Sequence, residues 1–201
     1  NPLLLVVSNP ADIITKAVQE TSGLPANRVI GTGTSLDTAR FRYNISTKLH
    51  VNVEDIQAYV VGEHGDSQVA VWSSAMVGGF PLEDYAKQVG VTLDKKEIAE
   101  HTKNGGAEVI GLKGATFYGI AMSVSNIVEA IMKDDSAILP AACVLDESFG
   151  EWAGVAVSLP CRIGWEGIET CLRIPMNEEE QAAMNKSVAI LKDFWAQVKE
   201  Q

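Results

Sequence analysis

The sequence predicts an α/β fold: one strand–helix unit of a parallel sheet leads into an α+β region with antiparallel strands and a long terminal helix. Three observations carry that expectation. Leu3-Leu4-Leu5-Val6-Val7 is an unbroken apolar run, the pattern of a strand covered on both faces, and a helical pattern follows it after a short polar turn. Residues 138–145, 154–159 and 168–174 read as strands separated by glycine-rich turns, one of them Arg162-Ile163-Gly164, which suits an antiparallel series. Met184, Val188, Leu191, Trp195 and Val198 form one apolar stripe on a helix near the end of the chain.

Composition narrows the class further. With 201 residues, 46% of them hydrophobic, the chain can bury a full core. A net charge of −10 argues against a nucleic-acid partner, which needs a basic face to meet phosphates. No apolar run approaches the roughly 18 residues that span a bilayer, so no membrane partner is expected. Cys143, Cys161 and Cys171 are odd in number, scattered, and lack any C-x-x-C spacing. That disfavours a disulfide framework or a zinc site, so no metal is expected and a reducing cytoplasm is the simplest home. The chain opens without methionine on an apolar strand, and is expected to be the later part of a longer polypeptide.

Along the chain, Asn9 is a good helix N-cap and Pro10 suits the first helical position, with Ile13, Ile14, Ala17 and Val18 as the buried face. Asn9 also stands beyond the carboxyl end of a strand, where ligands of α/β sheets sit, and the two readings weigh equally. Gly31-Thr32-Gly33-Thr34-Ser35-Leu36 misses the dinucleotide fingerprint because Leu36 takes the third glycine's place. No other stretch supplies a phosphate-cradling loop. Ser35 or Thr34 can cap a helix through Phe41, Ile45 and Leu49. Asp37 and Arg40, three residues apart, share a face of it, as a surface pair or as two groups reaching into a cleft. Residues 93–103 read as a helix that Gly105-Gly106 interrupts. Ile120, Val124, Ile127, Val128 and Ile131 mark a core-facing helix, with Thr116 at its start as cap or ligand contact. Asn177 caps the last helix, and Glu178, Glu179 and Glu180 favour its positive end.

Of three histidines, only His64 sits where a strand, residues 56–61, runs out into a tight turn, Gly62-Glu63-His64-Gly65-Asp66-Ser67. Were Asn9, Asp37, Arg40, His64 and Thr116 to meet, they would suit a small oxyacid. Arginine can hold a carboxylate with two parallel hydrogen bonds, and histidine can exchange a proton with a hydroxyl or carbonyl oxygen. Asp37 could steady the imidazolium, and the Asn9 amide could polarise the same oxygen.

Val7-Ser8-Asn9-Pro10-Ala11-Asp12, the run from Gly31 to Arg42, Gly62-Glu63-His64-Gly65-Asp66-Ser67 and Leu112-Lys113-Gly114-Ala115-Thr116 together resemble the NAD-dependent L-lactate dehydrogenase family of bacterial type, within the lactate/malate dehydrogenase superfamily. The resemblance runs along essentially the whole chain. It implies His64 as acid/base, Asp37 as its carboxylate partner and Arg40 as the clamp on the substrate carboxylate. It also implies Asn9, Asp12 and Thr116 at the substrate, and Val7, Ser8, Asn9 and Thr32 at the nicotinamide half of NAD. Reversible reduction of pyruvate to L-lactate with NADH, as in glycolysis and fermentation, would follow, in a cytoplasmic homo-oligomer, a tetramer. Residues 1–31 would be the tail of a Rossmann nucleotide-binding domain and residues 32–201 the substrate/catalytic domain.

The same resemblance marks gaps. The glycine fingerprint, the acidic residue at the adenosine ribose and the mobile loop with a second arginine are not in these 201 residues, so this segment alone is expected not to turn over NADH. Glu63 before His64, and the run from Ser67 to Trp72, favour lactate; a malate or L-2-hydroxyisocaproate-type dehydrogenase is the alternative. Arg42 matches the arginine of a fructose 1,6-bisphosphate site, but Gln57 replaces its histidine and brings no positive charge, so strong activation is not expected. From other classes, a hydrolase built on Ser67 or Ser73 lacks a G-x-S-x-G elbow. An inactive fragment serving oligomer assembly is the non-enzyme reading.

Overall fold

The structure, a computed structural model, describes residues 2–199. Strand β1 (Leu4–Val6) leads into helix α1 (Ala11–Ser22), and β2 (Val29–Gly31) returns parallel to β1. Helix α2 (Ser35–Leu49) is followed by the hairpin β3 (Ile56–Val61) and β4 (Val69–Val77) and by the short β5 (Phe80–Pro81). Helices α3 (Leu82–Gln88), α4 (Lys95–Lys113) and α5 (Tyr118–Lys133) come next. Strands β6 (Ala137–Val144), β7 (Ala156–Gly164) and β8 (Gly167–Cys171) then run antiparallel, and α6 (Glu178–Lys199) ends the described chain.

The strands form two sheets, ordered β1-β2-β6-β7-β8 and β3-β4-β5. Gly62 and Ser158 join them by exchanging both backbone hydrogen bonds, each at 3.0 Å. One core lies over the larger sheet, where Ile30, Leu159 and Ile163 meet Met184, Val188 and Leu191 of α6. The other packs Phe41, Ile45 and Leu49 of α2 against Ile56, Ala58 and Val60 of β3. The hairpin feeds both, with Val61, Val69 and Val71 in the first core.

Several local expectations are corrected. Helix α1 starts at Ala11, with Pro10 in extended backbone at the cap position, so Asn9 is not the N-cap. Ile13, Ile14, Ala17 and Val18 are half-buried, with Ile13 packed on the larger core. The fully buried positions are Ala11, Asp12 and Thr15, whose hydroxyl is satisfied on the Ala11 carbonyl at 2.7 Å and which sits where only Gly31 leaves room. Strand β1 lies at the sheet edge, so only Val6 of it is buried and Val7 is 42% exposed. Gly105 and Gly106 do not break α4, which runs unbroken through them. Residues Arg162 to Gly164 belong to β7, not to a turn. Asn177 does cap α6: Glu180 N–H donates to Asn177 Oδ1 at 2.9 Å, and Asn177 N–H donates back to Glu180 Oε2 at 3.1 Å, a reciprocal capping box.

Candidate active site

The site is assembled by fastening the start of α2 to the end of β3. Thr34 stands at the N-cap position of α2 as expected, but its side chain makes no capping bond: its hydroxyl donates to the Val60 carbonyl at 2.6 Å, and its N–H donates to Ser158 Oγ at 3.0 Å. Val60 N–H donates to Thr38 Oγ1 at 3.0 Å. These bonds set Asp37 and Arg40 beside the loop that follows β3. That loop opens at Gly62, whose φ of 89° and close approach to Ser187 exclude a side chain. Glu63 then closes it: its N–H donates to Ser187 Oγ at 2.8 Å, and its carboxylate accepts from the N–H and hydroxyl of Ser67. His64 N–H donates to Asp12 Oδ2 at 2.7 Å.

The His64 ring meets Asp37 through Nδ1, 2.6 Å from Oδ2. An ionised carboxylate only accepts, so Nδ1 carries the hydrogen and Nε2 is left to exchange a proton with a ligand. The Asp37 hydrogen bond, opposed by burial of the ring, holds the His64 pKa above its ordinary value. Arg40 Nη1 stands 3.4 Å from the other Asp37 oxygen. Its stem lies against α4, where a side chain at Gly105 would come within 3.1 Å of Arg40 Cδ and Nε. The two glycines are thus a slot for arginine.

Val7, Asn9, Thr32, Asp37, Arg40, His64 and Thr116 all border one cavity of about 530 Å³. Ser8 is exposed and outside its lining. Asp12 does not border it either; 3% exposed, it lies behind the loop and holds the His64 backbone. Burial, opposed by that N–H bond, pushes the Asp12 carboxyl up to about 7. Arg42 turns away: Nε donates to the Ala58 carbonyl at 2.8 Å and the guanidinium stacks on Tyr59, 4.9 Å from the ring centre. The hydrolase reading loses its nucleophile, since Ser67 bonds Glu63 and Ser187, and Ser73 bonds Glu180, with neither on His64.

Residues to which the sequence reading gave no part in the site complete the wall. Leu36, Ala107, Ile110 and Ile120 supply apolar surface, and Lys103 reaches over the cavity to Asp66 at 2.9 Å. Their helical spacing was visible, but spacing does not say which face of α4 meets α2.

Fold and cleft together describe an α/β domain whose cavity gathers a carboxylate–histidine pair, an arginine and an amide. Residues 34–201 match the family described as lactate/malate dehydrogenase, alpha/beta C-terminal domain, and the chain belongs to that family. It is similar to an L-lactate dehydrogenase of Acetivibrio thermocellus, 42% identical over 96% of this chain and 61% of the relative. Another from Nitratidesulfovibrio vulgaris is 41% identical over 98% of this chain and 64% of the relative. The crystal structure of a minor L-lactate dehydrogenase from Enterococcus mundtii in the ligands-bound form superposes with a TM-score of 0.91 at 37% identity, covering 98% of this chain and 63% of that one. The chain therefore spans a little over three-fifths of the length of the relatives it matches.

Proposed function

We propose that the chain is the substrate-binding, proton-exchanging part of an NAD-dependent L-lactate dehydrogenase that reversibly reduces pyruvate to L-lactate. The observation that carries the reading is the 2.6 Å contact between His64 Nδ1 and Asp37 beside Arg40, on the cavity that Asn9 and Thr116 also border. Residues 1–31 then read as the tail of a nucleotide-binding domain and 32–201 as the substrate domain. The parallel β1–β2 pair and the family match from residue 34 support that division.

The residues present fit the nicotinamide half of NAD. Val7, exposed at the carboxyl end of β1, and the neighbouring Asn9 and Thr32 give the cavity an apolar and amide-bearing edge for a flat ring. When bound, that group supplies or accepts the hydride. Among the chain's own residues, Arg40 would hold the substrate carboxylate with two parallel N–H···O bonds. Protonated His64 would give its Nε2 proton to the oxygen that becomes the hydroxyl, and take it back in the reverse direction. The Asn9 amide would donate to the same oxygen and stabilise charge building there.

Substrate choice follows from the far wall. Gly106, Ala107, Ile110 and Ile120 are apolar, Arg40 lies beside Gly106, and Lys103 on the same cavity is engaged with Asp66. Among the described residues, this wall offers a methyl group such as that of pyruvate apolar surface to pack on. A second reading is favoured by the small Gly106 and Ala107: room for a branched 2-oxo acid of the isocaproate type. We read the assembly as a cytoplasmic homotetramer, with little response to fructose 1,6-bisphosphate because Arg42 is held by Ala58 and Tyr59 and Gln57 carries no charge. Among the described residues no helix is long and apolar enough to cross a membrane.

The test is NADH oxidation by the intact protein with pyruvate, oxaloacetate and a branched 2-oxo acid. Pyruvate is expected to give the highest kcat/KM. His64→Asn is expected to lower turnover by about 10²–10⁴-fold while NADH binding persists. Turnover that survives the substitution would overturn the assignment.

A further inference from the structure

The three cysteines, separated in sequence, meet over one face of the larger sheet. Strand pairing sets Cys161 of β7 opposite Cys171 of β8, and Cys143 of β6, opposite Val157, reaches both with its sulfur. The three sulfurs lie within 4.8 Å of one another. Cys143 Sγ is 2.7 Å from Cys171 Sγ, and Cys161 Sγ is 3.7 Å from Cys171 Sγ. All three are free thiols. Cys143 and Cys161 are buried, whereas Cys171 is half-buried and, with Cys143, borders a separate cavity of about 320 Å³.

Charge decides what such a cluster can do. A metal ion would need three thiolates, leaving net negative charge in an apolar core even around a divalent ion. Asp146 and Glu169 on the same cavity add to that cost. At Cys143 the contact with Cys161 lowers the pKa, but Cys171 and burial together raise it well above the ordinary value. Cys161 is raised by its contacts with Cys143 and Cys171 and by burial. Cys171 receives hydrogen bonds from Cys143 and then Cys161, which pull it down to about 4. Two thiolates on one tetrahedral zinc, each at about 2.3 Å, would stand about 3.8 Å apart, so sulfurs at 2.7 Å form a close pair rather than two corners of a metal site.

We propose that Cys143 and Cys171 are a redox-active pair that closes to a reversible disulfide when a hydroperoxide enters the adjoining cavity. The Cys171 thiolate attacks the peroxide: an S–O bond forms, the O–O bond breaks, and the departing hydroxide takes the Cys143 proton to become water. The Cys143 thiolate then attacks the sulfenic sulfur, the S–S bond forms, the S–O bond breaks, and the second hydroxide is neutralised by a solvent proton. Two sulfurs each lose one electron and the peroxide gains two. The sulfurs have less than about 1 Å to close to reach a bond of roughly 2.05 Å. A dithiol reductant reverses the reaction by exchange. Cys161 steadies the thiolate and stays reduced.

The inference stands apart from the dehydrogenase reading and is tested by covalent chemistry. The intact protein is treated with hydrogen peroxide, alkylated under denaturing conditions and mapped by mass spectrometry. Of the thiols of Cys143, Cys161 and Cys171, only that of Cys161 is expected to stay alkylatable, with a Cys143–Cys171 linked peptide that dithiothreitol abolishes. Cys161→Ser should keep that crosslink, and Cys171→Ser should lose it. Three alkylatable thiols after peroxide, a Cys161 crosslink in the unaltered protein, or a stoichiometric metal ion protecting all three would each overturn the proposal. The measurement on the unaltered protein decides it even where a variant fails to fold.

Discussion

Two carboxyl groups flank the His64 loop at the same depth and are held in opposite ways. Asp37, in the first turn of α2, has one oxygen on the His64 ring and the other facing Arg40. Asp12, in the first turn of α1, has one oxygen on the His64 backbone N–H, while Oδ1 finds no partner among the described residues. They are 2% and 3% exposed, so burial does not distinguish them. Partners do. Asp37 faces two cationic side chains, whereas Asp12 has a neutral amide and is pushed up to about 7 by burial. The histidine loop is thus gripped on its ring by a charge pair and on its backbone by a carboxyl near the edge of neutrality.

The largest expected effect comes from making Asp37 as neutral as its counterpart. Asn in its place removes the bond that raises the His64 pKa, and its amide can donate to Nδ1 and favour the wrong tautomer. Turnover is expected to fall by about 10²–10⁴-fold. The sign of the pH effect follows from the proposed function, in which the protonated ring is the acid for 2-oxo acid reduction. Activity falls as pH rises through the folded-state pKa, so in Asp37→Asn the fall moves to lower pH. A pH–rate profile that loses height without moving would break the link between Asp37 and the proton.

Asp12→Asn probes the other side. The folded group keeps its proton up to about 7, while the unfolded one loses it near 3.8. Its contribution to stability is therefore fully present below about 3.8 and is lost as pH rises through about 7, a slope worth on the order of 4 kcal/mol. Asparagine can keep the acceptor for His64 N–H and does not titrate. The variant is expected to be more resistant to urea than the parent above pH 7, with the difference vanishing in acid. Parallel urea midpoints from pH 5 to 8 would show that Asp12 is not the group responsible.

The contrast also explains what could be read from the sequence. Asp37 and Arg40 at i,i+3 on a helix, and a histidine between glycines after a strand, are local patterns, and Val7, Asn9 and Thr116 fell on the same cavity because a strand end and helix starts fix where they stand. Asp12 looked like part of that motif, yet its task depends on a loop 52 residues away. The cysteines looked scattered because sheet register is not written in sequence spacing. The edge position of β1 and the exposure of Val128 and Met132 on α5 show a second limit. Apolar periodicity marks a face that can be buried, not one that this chain covers.

The smallest effect is the one that isolates Arg40 from the rest of Asp37's surroundings. Gly105 lies inside α4, where alanine would ordinarily stabilise a helix by roughly 0.5–1 kcal/mol. A methyl group there would stand 3.1 Å from Arg40 Cδ and Nε, so the guanidinium has to shift by a few tenths of an ångström. Gly111, in the same helix, has nothing within 4 Å and serves as the matched control. Both alanine variants are expected to unfold at slightly higher urea. Only Gly105→Ala should raise the KM for pyruvate, by roughly two- to ten-fold, since less than about 1.4 kcal/mol of clamp energy is at stake. It should move the pH profile of His64 little, because the Asp37 bond outweighs the Arg40 charge in setting the His64 pKa. If the two variants change KM alike, the slot in α4 is a feature of helix packing and Asp37 owes its distinction from Asp12 to His64 alone.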